Sequence, residues 1–291
     1  MSTKLTRTTT ILTAAVAACA LAACSSDSSG GEGLLKSLEN GKITLGTKYD
    51  QPGMGLKNAD GTMSGFDVDV ATYVVNTIAE DKGYPKPEIT WRETPSAQRE
   101  TLIGNGEVAM ITATYSINKG RSESVNFGGP YLLTHQALLT RADDTTITKL
   151  EDLDNGRILC SVSGSTPAQK VKDTLSGVQL QEYDTYSSCL EALRQGKVDA
   201  ITTDATILNG YSAQNPGDFK VVEMMKDGKP FTNEYYGIGL KKDDEEGTKA
   251  INDALEKLYS SGTFDEFVNK NLDKGEGVTK AQPGDMSFLE N

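Results

Sequence analysis

Two runs of alternating strand and helix pattern, joined by one long apolar run, restrict how this chain can fold. The first run begins with Ile43-Thr44-Leu45-Gly46-Thr47, an alternating strand, and a loop over 48–53. From Asp67, a side chain suited to capping, Ala71, Val74, Val75 and Ile78 recur at helical spacing. Ile89 and Trp91 mark a second strand, 96–103 a helix stopped by Gly104-Asn105-Gly106, and 108–112 a third strand. The run 132–140 is long enough to cross between lobes. A second series follows, with strands over 157–162, 178–183 and 198–202 and a closing strand over 219–223. Its helices open at Thr166-Pro167 and cover 187–193. Residues 235–240 are extended again and supply a return crossing. Residues 245–259 carry Ile251, Ala254, Leu255 and Leu258 on one helix face, and Thr263 with Glu266 has capping-box spacing for a last short helix. The pattern predicts lobe 1 from 41–136 with 236–291 and lobe 2 from 137–235. Ligands of open α/β sheets lie beyond the carboxyl ends of strands, so Lys48, Thr114, residues 163–166 and Asp204 are expected to face one crevice.

The stretch from Met110 to Tyr131 leaves its strand through Thr114 and Ser116 and turns at Asn118-Lys119-Gly120, aiming Arg121 back toward those hydroxyls. A guanidinium beside hydroxyls and free N–H groups can hold a small carboxylate through parallel charge-assisted hydrogen bonds. The same arginine can instead pair with Glu123 at the surface. The segment alone permits both.

Lys4 and Arg7, an uncharged stretch over 8–23 and Leu21-Ala22-Ala23-Cys24 have the order of an export signal over 1–23. A membrane span would need about 20 apolar residues. Leu21-Ala22-Ala23-Cys24 resembles a bacterial lipobox, which implies cleavage before Cys24, lipidation of its sulfur with palmitate, and an extracytoplasmic protein held to the cell membrane by lipid alone. Cys19 after Val16-Ala17-Ala18 is a poorer match. Residues 24–40, rich in Ser and Gly at their start, read as a flexible tether. The formal charge is -12, and more negative once Lys4 and Arg7 are removed, which argues against nucleic acid and anionic lipid as partners. Any anionic ligand must therefore be held by local cations. Beyond Cys24 only Cys160 and Cys189 remain, and His135 is the single histidine. In an exported body this pair is read as a disulfide in preference to a metal site, with two free thiols as the alternative. No metal or cofactor is expected.

Gly65-Phe66-Asp67-Val68-Asp69-Val70, followed by Val74, Val75 and Ile78, fits the signature of the family-3 extracellular solute-binding proteins, the polar amino-acid receptors of ABC importers. The resemblance covers nearly the whole mature chain. It implies a type II periplasmic-binding-protein-like α/β fold, each lobe a mixed sheet flanked by helices, with two crossing strands between. Within the family, Thr47-Lys48-Tyr49-Asp50-Gln51-Pro52, Ser161-Val162-Ser163-Gly164-Ser165-Thr166-Pro167 and Glu234-Tyr235-Tyr236-Gly237-Ile238-Gly239-Leu240 resemble the glutamate-binding lipoproteins of actinobacterial importers. This implies L-glutamate or aspartate as ligand. It also implies Arg121, Thr114 and Ser116 on the α-carboxylate, Asp204 on the α-ammonium, and Ser165 with Thr166 closing from a helix N-terminus. Lys48 and Arg99, by similarity to acidic-amino-acid members, would read the side-chain carboxylate, whereas glutamine-specific members carry Asp where Lys48 stands. Plainer roles remain open: Asp204 and Thr166 can cap helices, and Arg99 can pair with Glu100 or Glu93.

The sequence has no Gly-x-x-x-x-Gly-Lys-Ser/Thr motif, so ATP hydrolysis is assigned to a separate subunit beside the permease. The chain itself is expected to act as a monomer that closes about its hinge. A dehydratase-like enzyme on the same fold would need a general acid or base in the pocket, yet every residue placed there has a binding role and no Cys-His or Ser-His pairing exists. The expectation is a binding protein and not an enzyme. An amino-acid sensor remains a reading that the sequence does not separate from a transport receptor.

Overall fold

A computed structural model describes residues 33–154, 156–175, 177–272 and 277–290. The export signal, Cys24 and the first part of the expected tether lie outside these residues. The remainder of that tether is not flexible: Leu34–Glu39 is helix α1, with Leu34 and Leu38 fully buried one turn apart. The Leu34 N–H donates to the Asp244 carboxylate at 3.2 Å, so the folded body begins before residue 41. Two buried leucines at helical spacing stabilise this short helix through packing, which its length alone could not do.

Lobe 1 takes strands β1 (Lys42–Thr47), β2 (Glu88–Glu93), β3 (Met110–Ile111) and β4 (Val125–Thr134). Lobe 2 takes β5 (Gln136–Arg141), β6 (Ile158–Val162), β7 (Gln179–Tyr183), β8 (Ala200–Asp204) and β9 (Phe219–Glu223), after which β10 (Glu234–Lys241) returns to lobe 1. The sheet orders are β2-β1-β3-β10-β4 and β7-β6-β8-β5-β9. Each has a parallel trio on one side and antiparallel pairing on the other, so the two lobes repeat one plan. Their apolar faces form separate cores, one around Leu45, Val74, Ile251 and Leu255, the other around Leu139, Val162, Leu193 and Leu208. Cys160 and Cys189 are disulfide-bonded inside the second core, with Cα atoms 5.8 Å apart.

The helices are α2 (Phe66–Lys82), α3 (Arg99–Gly104), α4 (Lys119–Ser124), α5 (Thr166–Thr174), α6 (Tyr186–Arg194), α7 (Ala205–Gln214), α8 (Glu245–Ser260) and α9 (Thr263–Asn271). Several ends differ from the sequence reading. Asp67 does not cap α2; Gly65 takes the cap position at φ 122°, where a Cβ would meet the Met54 carbonyl oxygen at 2.2 Å. The capping box at Thr263 is not formed, because Gly262 precedes α9 with no side-chain cap. Ser165, one residue before the expected Thr166, caps α5. The turn at Asn118 is instead the start of α4, with the Asn118 side chain accepting the Arg121 N–H at 2.9 Å.

The chain passes between lobes at His135, between β4 and β5, and returns at Glu234, which pairs with Thr134. The lobes touch across the crevice. Asp50 accepts from Ser187 N at 3.1 Å and Ser187 Oγ at 3.2 Å, and the Tyr211 hydroxyl donates to the Asp50 carbonyl at 2.6 Å. Gly210 on α7 lies so close to lobe 1 that a Cβ there would fall 2.0 Å from the Pro52 carbonyl oxygen. Backbone on backbone leaves no rotamer to relieve that overlap. Gly210→Ala is therefore expected to hold the lobes apart, giving a larger radius of gyration in small-angle scattering than the parent. Equal radii would mean that the lobes slide without separating.

Candidate functional site

The carboxyl ends of β1, β3, β6 and β8 bring the expected residues to one crevice. Arg121 projects from α4: Nη1 donates to the Ser116 carbonyl at 2.6 Å, and Nη2 reaches across to the Gly164 carbonyl of lobe 2 at 2.8 Å. Its charged neighbour is Glu100, with Nε at 3.4 Å from Oε1, and not Glu123 as the sequence allowed. The Tyr115 ring lies between two guanidiniums, 4.1 Å from Arg99 Cζ and 5.1 Å from Arg121 Cζ. Its electron-rich face offsets part of the repulsion between them.

Lys48 and Arg99 sit deeper. Lys48 Nζ donates to Ser96 Oγ at 2.8 Å, and Arg99 donates to the carbonyls of Ser96 at 3.3 Å and Ala113 at 3.0 Å. Arg99 is 2% exposed, so the solvated helix residue paired with Glu93 or Glu100 is not what forms. Among the described residues, no carboxylate stands within ion-pair distance of either cation. Burial, followed by the neighbouring Arg99 charge, brings Lys48 down to about 7, and burial with Arg121 brings Arg99 down to about 10. Asp67 acts on both cations without bonding either, and a carboxylate entering the crevice would supply the direct partner they lack.

Thr114 adopts φ 44°, which is costly for a β-branched residue, on the order of 1–3 kcal/mol. Its N–H donates to Asp67 Oδ2 at 2.6 Å, and its hydroxyl meets Gln51 Oε1 at 3.1 Å. Tyr131 holds the other Asp67 oxygen at 2.6 Å, while burial pushes the Asp67 carboxyl up to about 6. Asp67 thus fixes the strained loop carrying Thr114, Tyr115 and Ser116, a role hidden in the sequence because a helix-start Asp looks like a cap.

Asp204 ends β8 in the cap position of α7 but makes no side-chain cap hydrogen bond. One oxygen accepts the Tyr236 hydroxyl, and Oδ1 is buried with no partner among the described residues. Burial, then the nearby Glu234 charge, holds its carboxyl well above the usual range. Ser165 Oγ accepts the Ala168 N–H at 3.2 Å, and the Thr166 hydroxyl accepts from Asn118 of lobe 1 at 3.5 Å. Arg121, Gly164, Ser165 and Thr166 also border a solvent-open recess of about 380 Å³ that runs over Gln169, Lys172 and Asp173 and does not reach Lys48, Arg99 or Asp204. Lys48, Arg99 and Arg121 give the crevice a cationic wall, and Asp204 gives it an anionic end. The expected residues lie around this crevice, and nothing in the sequence hints at the roles of Asp67, Gln51, Tyr236 and Glu234: all four fall within the family-like segments, Asp67 as an expected cap and the other three with no role.

The sequence profile of the bacterial extracellular solute-binding proteins, family 3, matches residues 43–274. The glutamate-binding protein GluB of Corynebacterium glutamicum is 69% identical over 286 residues, covering 98% of this chain and 97% of that protein. The ABC transporter glutamine-binding protein GlnH of Bacillus subtilis is 33% identical over 256 residues, 85% of this chain and 90% of that one. Among solved structures, an ancestral arginine-binding protein bound to arginine superposes with a TM-score of 0.71 at 30% identity, over 81% of this chain and 100% of that one.

Proposed function

The chain belongs to the bacterial extracellular solute-binding proteins of family 3, and we propose that it is the L-glutamate receptor of an ABC importer. It is a binding protein and not an enzyme. The observation that carries the ligand assignment is the charge layout: buried Lys48 and Arg99 without carboxylate partners, Arg121 beside them, and the unpartnered Asp204 Oδ1. Two carboxylates and one ammonium on a short chain complement that layout. A neutral amide at the side-chain end leaves the two deep cations without a direct carboxylate partner, which disfavours glutamine. Aspartate has the same charges on a shorter chain.

In this reading Arg121 and Thr114 take the α-carboxylate on lobe 1, and Ser165 with Thr166 closes onto it from the start of α5. Ser116 contributes its carbonyl, which orients Arg121. Asp204 takes the α-ammonium, while Lys48 and Arg99 take the γ-carboxylate. Each lobe supplies part of the set, so a bound ligand favours closure through its larger contact with the closed form. The closed body is what a permease with a separate ATPase would recognise, one monomer at a time. A lipid on Cys24, outside the described residues, would hold the receptor near that permease, as the lipobox resemblance implies.

A thermal-shift screen of the common amino acids tests the assignment. Ligand at about a hundred times its dissociation constant stabilises by about 2.7 kcal/mol, and glutamate is expected to give the largest shift, followed by aspartate. A larger shift with glutamine or arginine would overturn it.

A further inference from the structure

Glu234 has no role in ligand recognition as proposed, yet with Asp67 and Asp204 it is, among the described residues, one of three buried carboxylates around the crevice. It opens β10 at the return crossing, is 3% exposed, and meets no cation within ion-pair distance among the described residues. The hydroxyls of Ser116 and Thr232 lie beside its carboxyl, and Thr232 Oγ1 in turn accepts the Gln136 N–H at 3.1 Å. Residues flanking both crossings thus surround it. Asp204 approaches from the end of β8: its carboxylate accepts the hydroxyl of Tyr236, which lies two residues from Glu234 on the same face of β10. Two carboxylates buried at one crossing need a proton or a cation to offset their charge.

We propose that Glu234 determines ligand class: with Asp204 it forms a two-carboxylate seat for the ammonium group, occupied by a shared proton until an amino acid displaces it. This rests on the amino-acid reading above. The Ser116 hydroxyl, expected on the α-carboxylate, then belongs to the ammonium end of the site. An ammonium has three donors, and Asp204 Oδ1 is an acceptor that no group among the described residues fills. On binding, the carboxylic O–H proton of the pair passes to solvent and the ligand N–H groups take its place, so charge balances. A ligand with the same two carboxylates but no ammonium must leave that proton where it is.

The sign of the pH dependence follows. Burial holds both carboxyls above their usual range, and ammonium binding needs them ionised, so affinity falls as the medium becomes acidic. Arg121 from α4, Arg99 from α3 and Lys170 from α5 act against that shift, while Tyr236 beside Asp204 and Tyr186 from α6 are the other titratable groups facing the pair. Glu234→Gln removes the like charge, which lets Asp204 ionise at lower pH.

Titration calorimetry with glutamate and with glutarate, its counterpart lacking the ammonium, separates the outcomes. The parent is expected to bind glutamate at least about a hundredfold more tightly than glutarate, and to release protons on binding at mildly acidic pH, read in buffers of different ionisation enthalpy. Glu234→Gln should reduce that preference about tenfold and move the acid limb to lower pH, with Glu234→Asp restoring part of both. An unchanged ratio and pH profile in Glu234→Gln would overturn the seat. So would the absence of proton release by the parent, a measurement that needs no variant. Should the parent select a different amino acid, the glutamate assignment fails, and the same ratio is read with that amino acid and its deaminated analogue.

Discussion

Arg121→Ala is expected to lower glutamate affinity by about 10²-fold to several thousandfold while leaving both lobes folded. On the proposed reading the guanidinium has two tasks, holding the α-carboxylate and spanning the crevice to the Gly164 carbonyl. Removing one partner of a desolvated pair costs about 3–5 kcal/mol, and each 1.4 kcal/mol is about tenfold in affinity. The loss should be equal for glutamate, aspartate and glutamine, because all present the same α-carboxylate. Arg121→Lys should recover little of it, since a point charge cannot reproduce a planar fork that bonds the Ser116 carbonyl and the ligand together. Calorimetry reads the affinity, and an unchanged melting profile of the free variant separates lost recognition from lost fold. Retention of affinity within about fivefold would remove Arg121 from the site.

The α/β plan was legible because its strands and helices are long enough to show their periods, and because the crossings appear as extended runs between two similar series. The position of the candidate residues was legible where geometry follows from topology, as with Lys48 and Asp204 at strand ends. Three features were not. Helix α1 is too short for its period to stand out, and its stability comes from burial of Leu34 and Leu38 against lobe 1, which only the tertiary fold supplies. Asp67 has the sequence context of a cap, but its acceptors are used by Thr114 and Tyr131, forty-seven and sixty-four residues away. Glu234 begins a strand, where a charged side chain usually faces water; here both crossings enclose it. In each case local pattern assigned the commoner role, and contacts distant in sequence decided otherwise.

Lys48→Gln and Arg99→Ala are expected to act on selectivity, weakening glutamate by about tenfold to a hundredfold and glutamine far less. Both cations are buried against hydroxyl and carbonyl oxygens, so each lacks a direct partner that only an acidic side chain would bring. Lys48 adds a pH signature. Its ammonium is brought from 10.5 down to about 7 by burial first and Arg99 second. Because its folded pKa lies below its unfolded one, the unfolded chain binds more protons between those values, and this group makes folding more favourable as pH rises through that window. Ligand binding runs the other way. A bound γ-carboxylate favours the ammonium form, so above about pH 7 glutamate binding takes up a proton, and affinity falls by up to about tenfold per pH unit. Glutamine, with no charge to place there, should show almost none of this alkaline limb. In Lys48→Gln the limb disappears for glutamate as well, whereas Arg99→Ala removes a repulsive neighbour and should move it to higher pH. If the limb persists unchanged in Lys48→Gln, the titrating group is not Lys48, and the deep cation pair ceases to be the reader of the side chain.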